Sequence, residues 1–154
     1  MPTHFTFTVP GQPLSWNRSY RNRVVIVRDR LGAAMHTAKG AEIRRPATYK
    51  TEEARIWQEG VRLIARAAKP SGFEPAQIIV AYDFILARDI DCDNVMKMMN
   101  DAIADAIGLN DRHFYPVVLS KVRGSKDPSV MVNVYDRKFH AVEIVDVPSV
   151  AAAR

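Results

Sequence analysis

Residues 77–107 read QIIVAYDFILARDIDCDNVMKMMNDAIADAI, and this stretch decides the fold. Residues 77–87 form a long apolar run that is typical of a β-strand. Residues 94–107 place apolar side chains at helical spacing, and Gly108 is suited to end that helix in a left-handed conformation. Because the intervening residues are polar, the sequence predicts a strand, an exposed turn and a helix in succession.

The flanking sequence supplies the remaining elements. Thr51 is suited to cap an amphipathic helix over residues 51–69. Residues 29–47 lack clear periodicity and predict a loop. Further segments with strand-like patterns are residues 4–9, 23–28, 116–123 and 129–135. We therefore expect an α+β fold, with a mixed sheet of about four or five strands, two main helices and an active site between the 77–87 strand and the 94–107 helix.

Length and composition indicate one domain in a chain of 154 residues. We expect it to span residues 1–137, with residues 138–154 as a partly flexible extension. The predicted core comprises Phe5, Phe7, Trp57, Val61, Ile64, Val80, Tyr82, Phe84, Met99, Ile103, Val132 and Val134. The single cysteine, Cys92, excludes an internal disulfide, and no apolar run is long enough to span a membrane. With no signal peptide at the N-terminus, a cytoplasmic protein is expected.

Charge is distributed unevenly along the chain. Residues 16–50 hold nine basic side chains against two acidic ones, whereas residues 83–111 hold seven acidic side chains against two basic ones. A basic segment is typical of a polyanion-binding surface, although a solvated loop is an equally good explanation of charge alone. Together with a carboxylate cluster, it is the composition that a metal-dependent enzyme acting on phosphodiesters needs.

The acidic cluster centres on Asp91 and Asp93, which are two residues apart and point to one side of an extended backbone. Asp93 is also a natural N-cap for the following helix, and Lys97 lies one turn further on. Asp111 follows the end of the helix. Oxygen ligands of this kind suit Mg²⁺, and Mn²⁺ is expected to substitute for it. Such an ion activates water and neutralises charge on a phosphate, while a nearby lysine stabilises developing charge.

Simpler interpretations of this cluster remain open, because helix capping and loop solvation also explain either aspartate taken alone. Two other motifs fit poorly. A calcium loop beginning at Asp89 would need glycine where Asn94 stands and glutamate where Asn100 stands. The DxDxV pattern of Asp91 to Val95 matches haloacid-dehalogenase-like phosphatases, but too little chain follows for their larger fold.

These residues resemble the RusA family of Holliday-junction resolvases from bacteria and their phages. The family pattern D-x-D-N-x-x-K matches Asp91 to Lys97, D-A-(L/I) matches residues 101–103, and the glycine and closing acid match Gly108 and Asp111. Asn110 replaces the first acid of the usual closing pair, and Asp89 is an additional carboxylate. The turn P-G-x-P of residues 10–13 and a strand lysine, Lys121, also occur in the family.

The resemblance implies a homodimeric, Mg²⁺-dependent endonuclease that nicks two opposed strands of a four-way DNA junction. Asp91, Asp93 and Asp111 match the family's essential carboxylates, and Lys97 matches its essential lysine. A four-way junction presents two equivalent strands to cut, and a two-fold symmetric dimer supplies one active site for each of them. The basic side chains expected to contact DNA are Arg18, Arg21, Arg23, Arg44, Arg45, Arg88 and Lys121.

Two alternative functions remain compatible with the sequence. One is a protein that binds junctions or other branched DNA without cleaving it. The other is a nuclease for a different branched substrate, such as a flap or a fork, because dimer geometry rather than the carboxylates selects substrate shape.

Overall fold

The computed structural model describes residues 1–142, apart from the side chain of Trp16. A 3₁₀ turn over Asp111–His113 precedes the fifth strand. The other elements, in chain order, are β1 (His4–Pro10), α1 (Trp16–Ser19), β2 (Tyr20–Ile26), β3 (Arg44–Lys50), α2 (Glu52–Ala68), β4 (Ile78–Leu86), α3 (Cys92–Ile107), β5 (Phe114–Arg123) and β6 (Ser129–Asp136).

β4 lies inside a four-stranded sheet with the strand order β1-β6-β4-β5. It pairs in parallel with β5 and antiparallel with β6, and β6 pairs antiparallel with β1. A parallel pair needs a crossover, which α3 supplies between β4 and β5. β2 and β3 pair with each other in a separate antiparallel ribbon. The predicted mixed α+β fold is confirmed.

The core lies between the sheet and the helices α2 and α3. Burial alternates along β1 and the first part of β6, as expected for strands with one covered face, whereas Ile78 to Tyr82 of β4 are all buried. Of the predicted core residues, Trp57 and Ile64 pack against this cluster but are only partly buried. The remaining ten are buried: Phe5, Phe7, Val61, Val80, Tyr82, Phe84, Met99, Ile103, Val132 and Val134.

Tyr82 joins the central strand to α3. Its hydroxyl donates a hydrogen bond to Asn100 Oδ1 at 2.5 Å. Burial raises the pKa of Tyr82 well above its usual value, so the phenol stays protonated and remains a donor. This bond fixes the position of α3 over β4, and therefore the position of the turn between them.

The N-caps of the two long helices are both side-chain oxygens. Thr51 accepts from Ala54 N, as predicted. The prediction for α3 was wrong by two residues, because Asp91 rather than Asp93 is its N-cap. Asp91 has an extended backbone, and its carboxylate accepts hydrogen bonds from Asp93 N at 3.1 Å and from Asn94 Nδ2 at 2.6 Å. With the N2 amide already satisfied by Asp91, the helix begins at Cys92.

Gly108 ends α3 with φ at +75°, and nothing lies within 4 Å of the position that a Cβ would occupy. We expect Gly108→Ala to lower the free energy of unfolding by about 1 kcal/mol. A residue with a Cβ is strained in the left-handed conformation, and no steric clash with neighbouring atoms adds to this cost. Urea unfolding measures the change. Gly60→Ala is the matched control: this glycine lies inside α2 with open space around it, so alanine should stabilise by about 0.5–1 kcal/mol. An unchanged stability of Gly108→Ala would contradict the capping role.

The predicted loop over residues 29–47 is not a plain loop. Its last residues belong to β3, which pairs with β2, and isolated bridges join Arg28 to Ala34 and His36 to Glu42. The predicted strand over residues 23–28 overlaps β2, whereas β3 was missed because exposed residues occupy both faces of the ribbon and no apolar face marks that strand.

The remaining predictions concern the membrane and the C-terminus. Among the described residues, no helix has both the length and the apolar character that a membrane span requires. The predicted boundary at residue 137 falls directly after β6, and residues 143–154 of the predicted extension lie outside the described part of the chain.

Candidate active site

The turn between β4 and α3 is held by residues distant in sequence. Gln12 Oε1 accepts from Ala87 N at 2.7 Å, and Gln12 Nε2 donates to the Arg88 carbonyl at 3.4 Å. Gly11 makes this reach possible, because its φ of +88° turns the chain after β1 and its N–H donates to the Pro128 carbonyl. The P-G-x-P segment therefore clamps the start of the acidic turn.

Asp91 and Asp93 lie exposed at the end of this turn. The carboxylate of Asp91 accepts two hydrogen bonds at the start of α3. A carboxylate offers about four acceptor positions, so some positions of Asp91 remain available to another ligand. The carboxylate of Asp93 makes no hydrogen bond or ion pair within residues 1–142. The sequence stretch that predicts a carboxylate pair thus presents two accessible acids at a helix N-terminus, where negative charge is favoured.

A third acid in the same turn has cationic partners. Asp89 Oδ1 lies 2.6 Å from Lys121 Nζ, and Asp89 Oδ2 lies 3.1 Å from Arg123 on the same strand. Lys121 also donates to the Ile90 carbonyl at 2.8 Å. The Lys121 hydrogen bond lowers the pKa of Asp89 and, reciprocally, raises the pKa of Lys121. Lys121 was predicted as a DNA contact, and the structure shows it bound to the acidic turn.

Lys97 and Asp101 follow Asp93 along α3 at intervals of four residues, which places the three side chains along one side of the helix. Asp101 is partly buried and its pKa is raised, first by burial and then by the charge of Asp111, while Lys50, Gln58 and Lys97 act in the opposite direction. Lys97 therefore lies between the acids of the turn and a second acidic group formed by Asp101 and Asp111.

Asp111 lies at the opposite end of α3 from Asp93. The helix has 16 residues, which corresponds to about 24 Å. The chain nonetheless turns back after α3, because Asp111 lines one cleft with Asp101, which lies about 12 Å along the helix from Asp93. Within residues 1–142, Asp111 forms no metal-binding group with Asp91 and Asp93. Correspondingly, residues 1–142 contain no group of three His, Cys, Asp or Glu side chains able to hold a metal.

Asn110, which replaces the first acid of the closing pair, has a local role. Its side-chain oxygen accepts from Arg112 N at 3.1 Å and caps the 3₁₀ turn that carries Asp111. Asparagine and aspartate cap equally well. The substitution therefore keeps Asp111 in place while it removes one negative charge.

The predicted DNA contacts fall into different environments. Arg21, Arg23 and Arg45 share one face of the β2–β3 ribbon with Tyr49, because directly paired residues project to the same side. Arg23 also stacks over the Tyr49 ring at 4.9 Å. Elsewhere, Arg18 pairs with Glu53, Arg44 pairs with Glu42 at 3.2 Å, and Arg88 is exposed in the acidic turn. The ribbon thus presents a basic surface with an aromatic ring, suited to a nucleic-acid backbone.

Several residues of the site were not predicted. Gln12 was visible only as part of a turn motif, and its hydrogen bonds to the acidic turn cross 75 and 76 residues of sequence. Arg123, Lys50 and Gln58 belong to none of the sequence motifs described above. A cleft of about 1090 Å³ is lined by none of Asp91, Asp93 and Asp111, whereas Asp111 lines a smaller cleft of about 570 Å³ together with Asp101.

The donor set at the turn fits Mg²⁺. This ion binds protein through one or two carboxylates and takes its other ligands from water and substrate phosphates. Asp91 and Asp93 supply two exposed carboxylates, and the exposed setting leaves room for a phosphodiester beside them. A closed protein cage is not required.

The sequence of the chain matches a known protein family. A family model described as "Endodeoxyribonuclease RusA" matches residues 32–135, a range that contains the acidic turn, α3 and Asp111. No curated protein matches the chain. The solved structure of IspF from Plasmodium falciparum in complex with CDP is 7% identical, with a TM-score of 0.34, covering 87% of this chain and 96% of that chain. A TM-score this low carries no argument.

Proposed function

The chain belongs to the RusA endodeoxyribonuclease family, and from this we propose that it is a Mg²⁺-dependent nuclease that cuts four-way DNA junctions by paired, symmetric nicks. The observation that carries the proposal is the pair of exposed carboxylates, Asp91 and Asp93, at the start of α3 with Lys97 one turn away. A bound Mg²⁺ supplies an activated water and neutralises phosphate charge. Mn²⁺ is expected to replace it.

The protein's own groups then have distinct tasks. Asp91 and Asp93 would hold the ion, and a phosphate bound beside them would lie near the helix N-terminus, where backbone N–H groups favour an anion. Lys97 faces the same space and stabilises the charge that develops on the phosphate. The arginine face of the ribbon, Arg21, Arg23 and Arg45, holds the DNA backbone without reading its sequence.

A second copy of the chain would complete the site. β5 is an edge strand with an exposed, largely apolar surface that includes Tyr115, Leu119 and Val122. Antiparallel pairing of two β5 edges about a two-fold axis sets the start of one strand beside the end of the other. Since Asp111 precedes the start and the acidic turn contacts the end, such a homodimer brings Asp111 of each copy towards Asp91 and Asp93 of its partner.

Cleavage of an end-labelled four-way junction tests the proposal, with a matched linear duplex beside it at ~10 mM Mg²⁺, a concentration suited to a weakly held, hydrated ion. We expect nicks at two symmetric positions on the junction, none on the duplex, and none after chelation of the metal with EDTA. A junction that is bound but never cut would instead support a DNA-binding protein without nuclease activity. Preferred cleavage of flaps or forks would overturn the junction assignment. As a DNA-cleaving member of this family, the protein would act in the cytoplasm of a bacterial cell, as a host or phage product.

A further inference from the structure

The carboxylate of Asp89 forms ion pairs with two cationic side chains of β5 at once. One oxygen contacts Lys121 at 2.6 Å and the other contacts Arg123 at 3.1 Å. The two cations are separated by one residue on the strand, so both side chains project to the same side. Two cations that each hold a different oxygen of one anion form the arrangement that also binds the two free oxygens of a phosphodiester.

This ion cluster lies beside the proposed site of cleavage. Asp89 is two residues before Asp91 in the same turn, and Lys121 additionally holds the Ile90 carbonyl between them. The cluster is open to solvent, with the side chains of Lys121, Asp89 and Arg123 exposed by 36%, 54% and 66%. An ion pair this exposed contributes little to stability and exchanges partners readily. DNA bound at Asp91 and Asp93 would bring backbone phosphates within reach of the same two cations.

We propose that Lys121 and Arg123 form a binding site for a DNA backbone phosphate, and that Asp89 occupies this site in the free protein. The inference rests on the proposed function, because it takes branched DNA as the ligand. Binding of DNA then requires displacement of an internal carboxylate, and Asp89 weakens the hold on DNA by competing for the two cations. The bond from Lys121 to the Ile90 carbonyl remains in both states and keeps the lysine near the turn.

The test measures the dissociation constant of a four-way junction as a function of NaCl, in EDTA so that no cleavage occurs. We expect Asp89→Asn to bind about tenfold more tightly than wild type at low salt, because one or two cations become free for phosphates. The slope of log affinity against log salt should become steeper by about 1 to 2, since each additional phosphate contact contributes about 0.9. An unchanged slope, or weaker binding, would overturn the inference.

A double-mutant cycle identifies the cations involved. In a Lys121→Gln/Arg123→Gln background, Asp89→Asn should change affinity by less than about twofold, because no cation is left to free. Asp127→Asn removes the same charge from the turn between β5 and β6, where its carboxylate pairs with no cation within residues 1–142, and should leave the salt slope unchanged. If Asp89→Asn increased the affinity as much in the Lys121→Gln/Arg123→Gln variant as in wild type, Asp89 would act by general repulsion of DNA. That result would overturn the proposal that Asp89 competes with DNA for the two cations.

Failure of the inference and failure of the proposed function give different results. If wild-type protein binds the junction with a salt-dependent affinity but Asp89→Asn matches it, only the inference fails. If wild-type protein shows no preference for branched DNA at any salt concentration, the proposed function fails as well. Thermal unfolding of each variant confirms that the binding data come from folded protein.

Discussion

Asp93→Asn is expected to abolish DNA cleavage while DNA binding persists. The substitution keeps the size of the side chain and removes the anionic ligand, and a bound metal contributes several kcal/mol to a phosphoryl transition state. Because each 1.36 kcal/mol corresponds to a factor of ten, the rate should fall by about a thousandfold or more. Single-turnover cleavage of a labelled junction measures the rate, and a gel-shift titration in EDTA measures binding.

Stability should change little, because Asp91 rather than Asp93 caps α3. The retained fold separates a chemical role of Asp93 from a structural one. Glu74→Gln, an equal change of charge on an exposed side chain outside the acidic turn, is the control and should cut at the wild-type rate. A variant at Asp93 that still cuts the junction within tenfold of wild type would remove this carboxylate from the chemistry.

Hybrid dimers should recover cleavage from two inactive proteins. Asp93→Asn and Asp111→Asn copies, each inactive as a homodimer, would form one site that lacks both carboxylates and one site with all of them. This follows from the proposed dimer, in which Asp111 of one copy joins Asp91 and Asp93 of its partner, since Asp111 forms no metal-binding group with them within residues 1–142 of one chain. We expect hybrids purified through two different affinity tags to nick one strand of the junction and leave the opposite strand intact.

Two controls accompany this experiment. Mixtures of each inactive protein with itself should give no product. Leu119→Lys places a charge on the exposed β5 edge, which natural sheets use to prevent edge pairing, so this chain should be monomeric by light scattering and should not cut. Hybrids with no activity, from copies shown to be dimeric, would mean that each chain carries a complete site and that Asp111 acts elsewhere.

Local patterns were sufficient to predict most of the fold. The apolar run of β4 and the periodicity of α2 and α3 predicted the central elements, because each buries a regular set of side chains. β3 escaped prediction since it covers no core, although the strand predicted over residues 23–28 overlaps β2. The same physics explains the misplaced N-cap: Asp91 and Asp93 are both good caps, and the choice depends on where the clamped turn ends.

The candidate site was predictable in composition and not in geometry. Asp91, Asp93, Lys97 and Asp111 stand out by spacing, but spacing does not reveal that Asp91 caps α3 or that Asp111 lies beside Asp101. The partners of Asp89 lie 32 and 34 residues away in sequence, so no local pattern connects them. Contacts of this kind come from the parallel pairing of β4 and β5, which brings the ends of the two strands together.

The clamp made by Gln12 also affects the timing of folding. Within residues 1–142, β1 pairs with β6, which ends at Asp136, so β1 acquires this partner only after residue 136 has been synthesised. Ribosomes add about 5–20 residues per second, and contacts between distant segments form slowly. We therefore expect Gln12 to reach the acidic turn once β1 has paired with β6. A nascent chain that stops before β6 would carry every carboxylate of the site without the strand pairing that positions them.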